Sequence, residues 1–289
     1  MTDIDILVPE ALVIKAYEQL KALNYQSAKQ FEWEQYRALR YHLPALGKAK
    51  SVAYLELHWN ITPPLKPWTI SVDQLWKRAQ PVTLAQVATL SLCPEDVLLY
   101  ICEHATYHHL LWQGVSTLCD LDRAVRHYHD TLDWQLIKRR ADEWNWSKGV
   151  YLMLYLAREL MQTPIRDEIL AGLKPFDFDN QITQNALAHL IAEKSHQEWV
   201  TDDFAQLWDK TRLTNKARLV VKRLFPSAEE ISIEYEVSRN TLTFWMYYLV
   251  RLKDLFIRWS SKVCRLWYRD KSITQVIKQN NALIKWLKQ

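Results

Sequence analysis

The stretch TDIDILVPE, residues 2–10, sets two aspartates, Asp3 and Asp5, two positions apart inside an apolar run. Ile4–Val8 reads as a short strand. Side chains alternate across a strand, so both carboxylates share one face while Ile4, Ile6 and Val8 point the other way, into a core. Carboxylates side by side repel each other, and one pKa rises unless a cation neutralises them. A divalent cation does this well, because Mg2+ takes a few carboxylate oxygens and leaves room for substrate phosphates. Pro9 and Glu10 then open a helix: proline suits a first turn and an acid suits its positive end.

A two-metal site needs a third acid from a neighbouring strand, with ions about 4 Å apart to serve the attacking and leaving oxygens. SVAYLELHW, residues 51–59, offers Glu56. Tyr54, Glu56 and His58 share one face of this strand, and Leu55, Leu57 and Trp59 the other. A glutamate in an otherwise apolar strand is costly unless paired or liganded. With the two strands adjacent, Asp3, Asp5 and Glu56 converge. His58 is then expected at the rim, near a substrate phosphate or in a general-base position. The plain alternative is a solvated chain end and a glutamate on an open sheet face.

Outward from this pair, Leu12, Ala16, Leu20 and Leu23 form a helical stripe that stops at Asn24. YRALRYHL (36–43) is a second strand candidate, with Gly47 in the turn before the SVAYLELHW strand. TPPLKP (62–67) is the strongest breaker and divides a sheet unit, 1–68, from a helical domain, 69–289. Almost everything after it reads as helix. Ser71 caps VDQLWKRA, Pro94 starts PEDVLLYICEHATYHHLLW, and Gly114 interrupts before STLCDLDRAVRHY. Thr131 caps LDWQLIKRRADEW, and a helix runs from about Ser147 to Met161. Only 4 glycines in 289 residues, against 14 Trp and 14 Tyr, favour helices over tight turns.

A hydrophobic fraction of 49% with 24% charged residues excludes a disordered chain. The net charge of +4 permits contact with nucleotide or nucleic acid without demanding it. Cys93, Cys102, Cys119 and Cys264 have no CxxC spacing, so neither a disulfide framework nor a zinc knuckle is expected, and a cytoplasmic location is the default. The apolar run LTFWMYYLV is far shorter than the ~20 residues of a spanning helix. The basic aromatic helix around it, with Arg251, Lys253, Arg258, Lys262, Arg265, Arg269 and Lys271, reads as a core helix with snorkelling cations, ahead of a nucleic-acid or membrane surface.

His104 and His108 are four apart and share a helix face. From the spacing, two uses stay open: core or interdomain histidines, or a metal site with Asp120 or Asp122. His109, His127 and His129 read as surface residues. Asp120 and Asp122 point to different helix faces, so they cannot pair as Asp3 and Asp5 do.

Taken in order, TDIDILVPE, a helix ending in LNY, LELHWNI, LWKRA, LCPEDVLLYICEHATYHHL, LCDLDRAV and DWQLIKRRADEW resemble the uncharacterised nucleotidyltransferase family of the DNA polymerase β-like superfamily. The resemblance implies an α+β fold, a small nucleotidyltransferase-like sheet unit followed by a mostly α-helical domain. It implies Asp3, Asp5 and Glu56 as catalytic metal ligands for Mg2+ or Mn2+, and, because the family also has histidines there, the His104 and His108 face as a substrate-binding wall of the nucleotide cleft. It also implies transfer of a nucleoside monophosphate from an NTP to an acceptor, with pyrophosphate released. The acceptor can be a small molecule, a protein side chain or an RNA end. The superfamily's Gly-Ser turn, which holds the nucleotide phosphates, has no counterpart here: only Met1 and Thr2 precede Asp3, and no glycine precedes Gly47. Two expectations follow. Either the enzyme's chain begins earlier, or this is a truncated, inactive relative serving as a helical binding module for a protein partner.

Overall fold

The computed structural model describes residues 3–27, 29–49, 53–64, 70–192, 213–237, 239, 241, 243–267 and 271–288. The breaker at 62–67 falls partly outside them. The chain is α+β and divides into two compact units, residues 1–73 with 220–258, and 74–219 with 259–289.

In the first unit, β1 (Asp3–Leu7) leads through a 3-10 turn (Glu10–Leu12) into α1 (Val13–Ala22). Asn24 ends that helix with φ 66, a conformation asparagine tolerates better than most residues. Next come β2 (Gln26–Ser27), α2 (Trp33–Leu39), β3 (Leu46–Gly47) and β4 (Tyr54–His58). The sheet order is β1-β4-β3-β2, with β1 parallel to β4 and the other pairs antiparallel. A central β4 follows from its sequence, since Leu55, Leu57 and the adjoining Trp59 are buried.

The core lies on that face, where Val13, Tyr36, Leu43 and Leu46 meet Leu55, Leu57 and Trp59. Val8, Ala16, Tyr17 and Leu20 pack against it, so the buried stripe of α1 is centred on Val13 rather than Leu12 and Leu23, which are exposed. Ile4 and Ile6 are exposed too, at 41% and 36%, contrary to expectation. Their strand is the sheet edge, and α1 packs on β4 instead. YRALRYHL is not a strand: its first residues close α2, whose Tyr36 packs beside Phe31 while Trp33 meets Trp59 edge to face at 4.9 Å. Gly47 lies in β3 rather than a turn. From the far end of the sequence, Ala228–Tyr235 brings Ile233 onto this core.

The second unit is mainly helical. After Val72–Arg78 (α3, which begins in the first unit), an unexpected hairpin, β5 (Gln80–Leu84) and β6 (Val87–Ser91), turns on Ala85 and Gln86 at φ 48 and 67. Turns of this kind favour Asn and Gly, so Ala85–Gln86 carries no hairpin signal. Helix α4 (Pro94–Glu103) starts at its proline and continues as a π-helical segment, His104–His108. Gly114, at φ 76, separates it from α5 (Ser116–Tyr128). Helix α6 (Trp134–Glu143) is capped by Asp133, which accepts from the Gln135 and Leu136 amides, and not by Thr131. Next are α7 (Ser147–Met161), α8 (Asp167–Leu173) and α9 (Asn180–Ile191). Of the remaining helices, α11 (the Ala228–Tyr235 segment) lies in the first unit and α13 (Lys271–Lys288) in the second, while α10 (Leu213–Leu224) and α12 (Met246–Trp267) each run across the division at residues 219–220 and 258–259. Among the described residues no helix is long and apolar enough to cross a membrane.

Candidate active site

The parallel pairing of β1 with β4 sets Asp3 opposite Tyr54, Asp5 opposite Glu56 and Leu7 opposite His58. With a side-chain period of two, all six lie on the sheet face away from the core. Asp5 and Glu56 are therefore direct neighbours across the ladder. His58 Nε2 lies 3.5 Å from Asp5 Oδ1 and 3.4 Å from Glu56 Oε2. At these lengths the contacts are ion pairs rather than well-formed hydrogen bonds. Asp3 shares the face one step along β1 and is exposed.

His58 is not at a rim. Its side chain is 7% exposed, against 22% for Glu56 and 39% for Asp5. The cause is His42, a residue the sequence reading passed over. Residues 41–43 run antiparallel to the end of β4 and bridge His42 to His58. The two imidazoles stack at 4.8 Å, with Tyr41 edge-on to His58. His42 Nδ1 is 3.4 Å from Glu56 Oε2. A histidine just ahead of a strand partner of LELHW was the available signal, hidden by reading all of YRALRYHL as strand.

The electrostatics follow from this packing. Burial pulls the His58 pKa down, the Asp5 and Glu56 carboxylates more than reverse it, and the net result is a rise to about 9. His58 holds the Glu56 carboxyl below its ordinary value, against burial, with His42 helping and Asp5 opposing. Burial and then the charge of His58 push His42 down, only partly offset by the Leu43 carbonyl and the two carboxylates. His42 Nδ1 donates to that carbonyl at 2.8 Å, which leaves the lone pair on Nε2. In the metal-free protein an imidazolium thus partly balances two carboxylates. The oxygen donors suit Mg2+ or Mn2+, and the adjacent imidazoles favour Mn2+. The residues fit a divalent cation.

His104 and His108 belong to the second unit, and neither aspartate expected beside them is their partner. Asp122 binds the Arg126 guanidinium at 2.9 Å and accepts from Thr163 Oγ1 at 2.7 Å. Asp120 is exposed. Instead His109 joins the pair. It is half-buried rather than a surface residue, and burial followed by the two neighbouring imidazoles pushes its pKa down to about 3. On α12, Arg251 is buried, its guanidinium paired with Glu234 and donating to the Arg223 carbonyl, while Lys253 is exposed. Arg258, Lys262, Arg265, Arg269 and Lys271 lie outside the residues whose side chains are described.

Among curated proteins and among solved structures, nothing matches this chain. A family described as uncharacterised nucleotidyltransferase matches residues 1–162, a span that holds β1, β4 and the histidine segment. The chain belongs to this family of uncharacterised nucleotidyltransferases.

Proposed function

We propose that the chain is a metal-dependent nucleotidyltransferase in which Asp5 and Glu56, with Asp3, hold Mg2+ or Mn2+. Family membership supports nucleotidyl transfer in general and a nucleotide as substrate. The single observation that carries the finer reading is the register of Asp5 against Glu56 on the polar face of a parallel strand pair. In the transfer, the acceptor oxygen bonds to the α-phosphorus of the NTP, the bond to the β-phosphate oxygen breaks, and pyrophosphate leaves. A bound divalent cation supplies charge neutralisation for the phosphates. The chain's own residues orient and balance: His58 fixes the two carboxylates from below, and the Nε2 lone pair of His42 is available to take the acceptor's proton.

Isothermal titration of NTP with and without Mg2+ tests this. Binding is expected only with metal and is lost in Asp5→Asn. Metal-independent binding, or binding unchanged in Asp5→Asn, overturns the assignment.

A second reading, a non-catalytic module that binds a partner protein, is favoured by exposed apolar side chains just before and along the first half of α12: Trp245, Met246, Leu249 and Phe256. None of the four glycines forms a phosphate loop, since Gly47 lies in β3, Gly114 in a turn, Gly149 in α7 and Gly172 in α8. This reading predicts a stable complex on co-purification and no pyrophosphate release.

A further inference from the structure

The segment HATYHH, residues 104–109, carries three histidines at i, i+4 and i+5. In an α-helix the third would point about 140° away from the first, at 3.6 residues per turn. Here the helix widens. The His109 amide donates to the His104 carbonyl at 3.0 Å and the Leu111 amide to the Ala105 carbonyl at 2.7 Å, closing turns larger than an α-turn. The extra residue brings His109 back beneath the other two. His104 and His108 stack at 5.2 Å and 7°, and His109 meets them edge-on at 4.4 and 4.6 Å.

The cost of this geometry is visible next door. Leu110 and Leu111 both have positive φ, 48 and 64. Each such non-glycine residue is strained and persists only where its surroundings over-determine it. Here Leu111 is fully buried and the Leu110 carbonyl is held by buried His189 at 2.8 Å. Single π-turns and stored strain recur at functional sites, which directs attention to what the three rings converge on.

We infer that His104, His108 and His109 form a three-imidazole site for a transition-metal ion of the Zn2+ class. One ring nitrogen from each lies within 4.8 Å of the other two. Tetrahedral Zn2+ at about 2.0–2.1 Å from each nitrogen needs them roughly 3.3 Å apart, so binding must draw the three rings together. All three donors are nitrogen, which suits Zn2+, Co2+ or Ni2+ and not Mg2+. Three protein ligands leave a fourth position for water or a substrate oxygen, and His108 is exposed, so that position opens to solvent. This role replaces direct substrate contact for His104 and His108. It stands on different residues from the Asp5–Glu56 site and holds or fails independently of it.

The test is Co2+ titration of the full chain after chelator treatment, read by visible absorption. The expected result is one equivalent of Co2+ with the intense bands of four-coordinate geometry, bleached by Zn2+. His108→Ala should weaken binding at least tenfold. Its exposed side chain makes it the variant that keeps the fold, and His109→Ala is the second arm. Glu56→Gln should leave the signal unchanged. Absence of four-coordinate bands in the wild type overturns the inference. So does a signal that survives His108→Ala and disappears in Glu56→Gln, which would place the ion at His42, Glu56 and His58.

Discussion

His189 should make the second unit lose stability in acid, by an amount the structure sets. Its ring is 1% exposed, stacks on Trp112 at 4.3 Å and 14°, and binds the Leu110 carbonyl through Nδ1 at 2.8 Å. Nε2 is buried and has no hydrogen-bond partner among the described residues. Among the described residues no carboxylate contributes to its titration; burial pushes the pKa down to about 4, opposed by that carbonyl. The unfolded chain should titrate near 6.5. A depressed histidine pKa means that the unfolded state binds the proton first. Stability is therefore intact above pH 6.5 and falls as pH drops toward 4. At 1.36 kcal/mol per pKa unit, the loss is about 2 kcal/mol at pH 5 and about 3 kcal/mol at pH 4.

His189→Asn keeps a neutral donor for Leu110 and removes the titration. Urea unfolding followed by tryptophan fluorescence, in chelator, at pH 7 and pH 5 makes the comparison. Wild type should lose about 2 kcal/mol more than the variant between the two. A difference between the proteins that is the same at both pH values, or a His189 NMR titration near 6.5, refutes the reasoning.

Three further outcomes are expected. Asp96 is buried between Arg140 at 2.7 Å and Arg78 at 3.0 Å, so Asp96→Ala strands a buried guanidinium and should cost roughly 3–5 kcal/mol in chemical denaturation. A Cβ on Gly149 would meet Thr106 Oγ1 and the Tyr107 ring at 2.4 Å, so Gly149→Ala should cost about 1–3 kcal/mol by thermal melting and weaken Co2+ binding at the flanking histidines. In metal-free protein, Glu56→Gln removes one of the two carboxylates facing His58, which also contacts His42 and Tyr41. Its NMR titration should move down from about 9, and stability that wild type loses as pH rises from 6.5 through 9 should shrink in the variant.

That Asp3, Asp5, Glu56 and His58 share one sheet face was legible because strand period alone fixes a face, and the pairing of β1 with β4 then sets Asp5 beside Glu56; the burial of His58, expected at the rim, was not legible. Asn24, Pro94 and Gly114 likewise punctuate where backbone chemistry demands. What escaped were features set by tertiary packing. Tyr36 enters the core from a helix, although the spacing of aromatic and aliphatic residues with arginines there reads as loosely alternating, and His42 was lost with it. Ala85–Gln86 and Leu110–Leu111 hold left-handed conformations that local sequence disfavours and the surroundings enforce. The π-turn left no trace in spacing, since His104 and His108 fit an α-helix equally well, and only an extra residue in the turn recruits His109. Ile4 and Ile6 follow the strand pattern but not its burial, because period two assigns a face and not what covers it.

The most direct test is Mn2+ binding read by electron paramagnetic resonance, in a His108→Ala background that silences the histidine cluster. The expected result is a Mn2+ site that tightens when a non-hydrolysable NTP is added and is lost in both Asp5→Asn and Glu56→Gln, with the folded circular dichroism spectrum retained. Mn2+ binding that ignores both substitutions, or no site at all with nucleotide present, would contradict it.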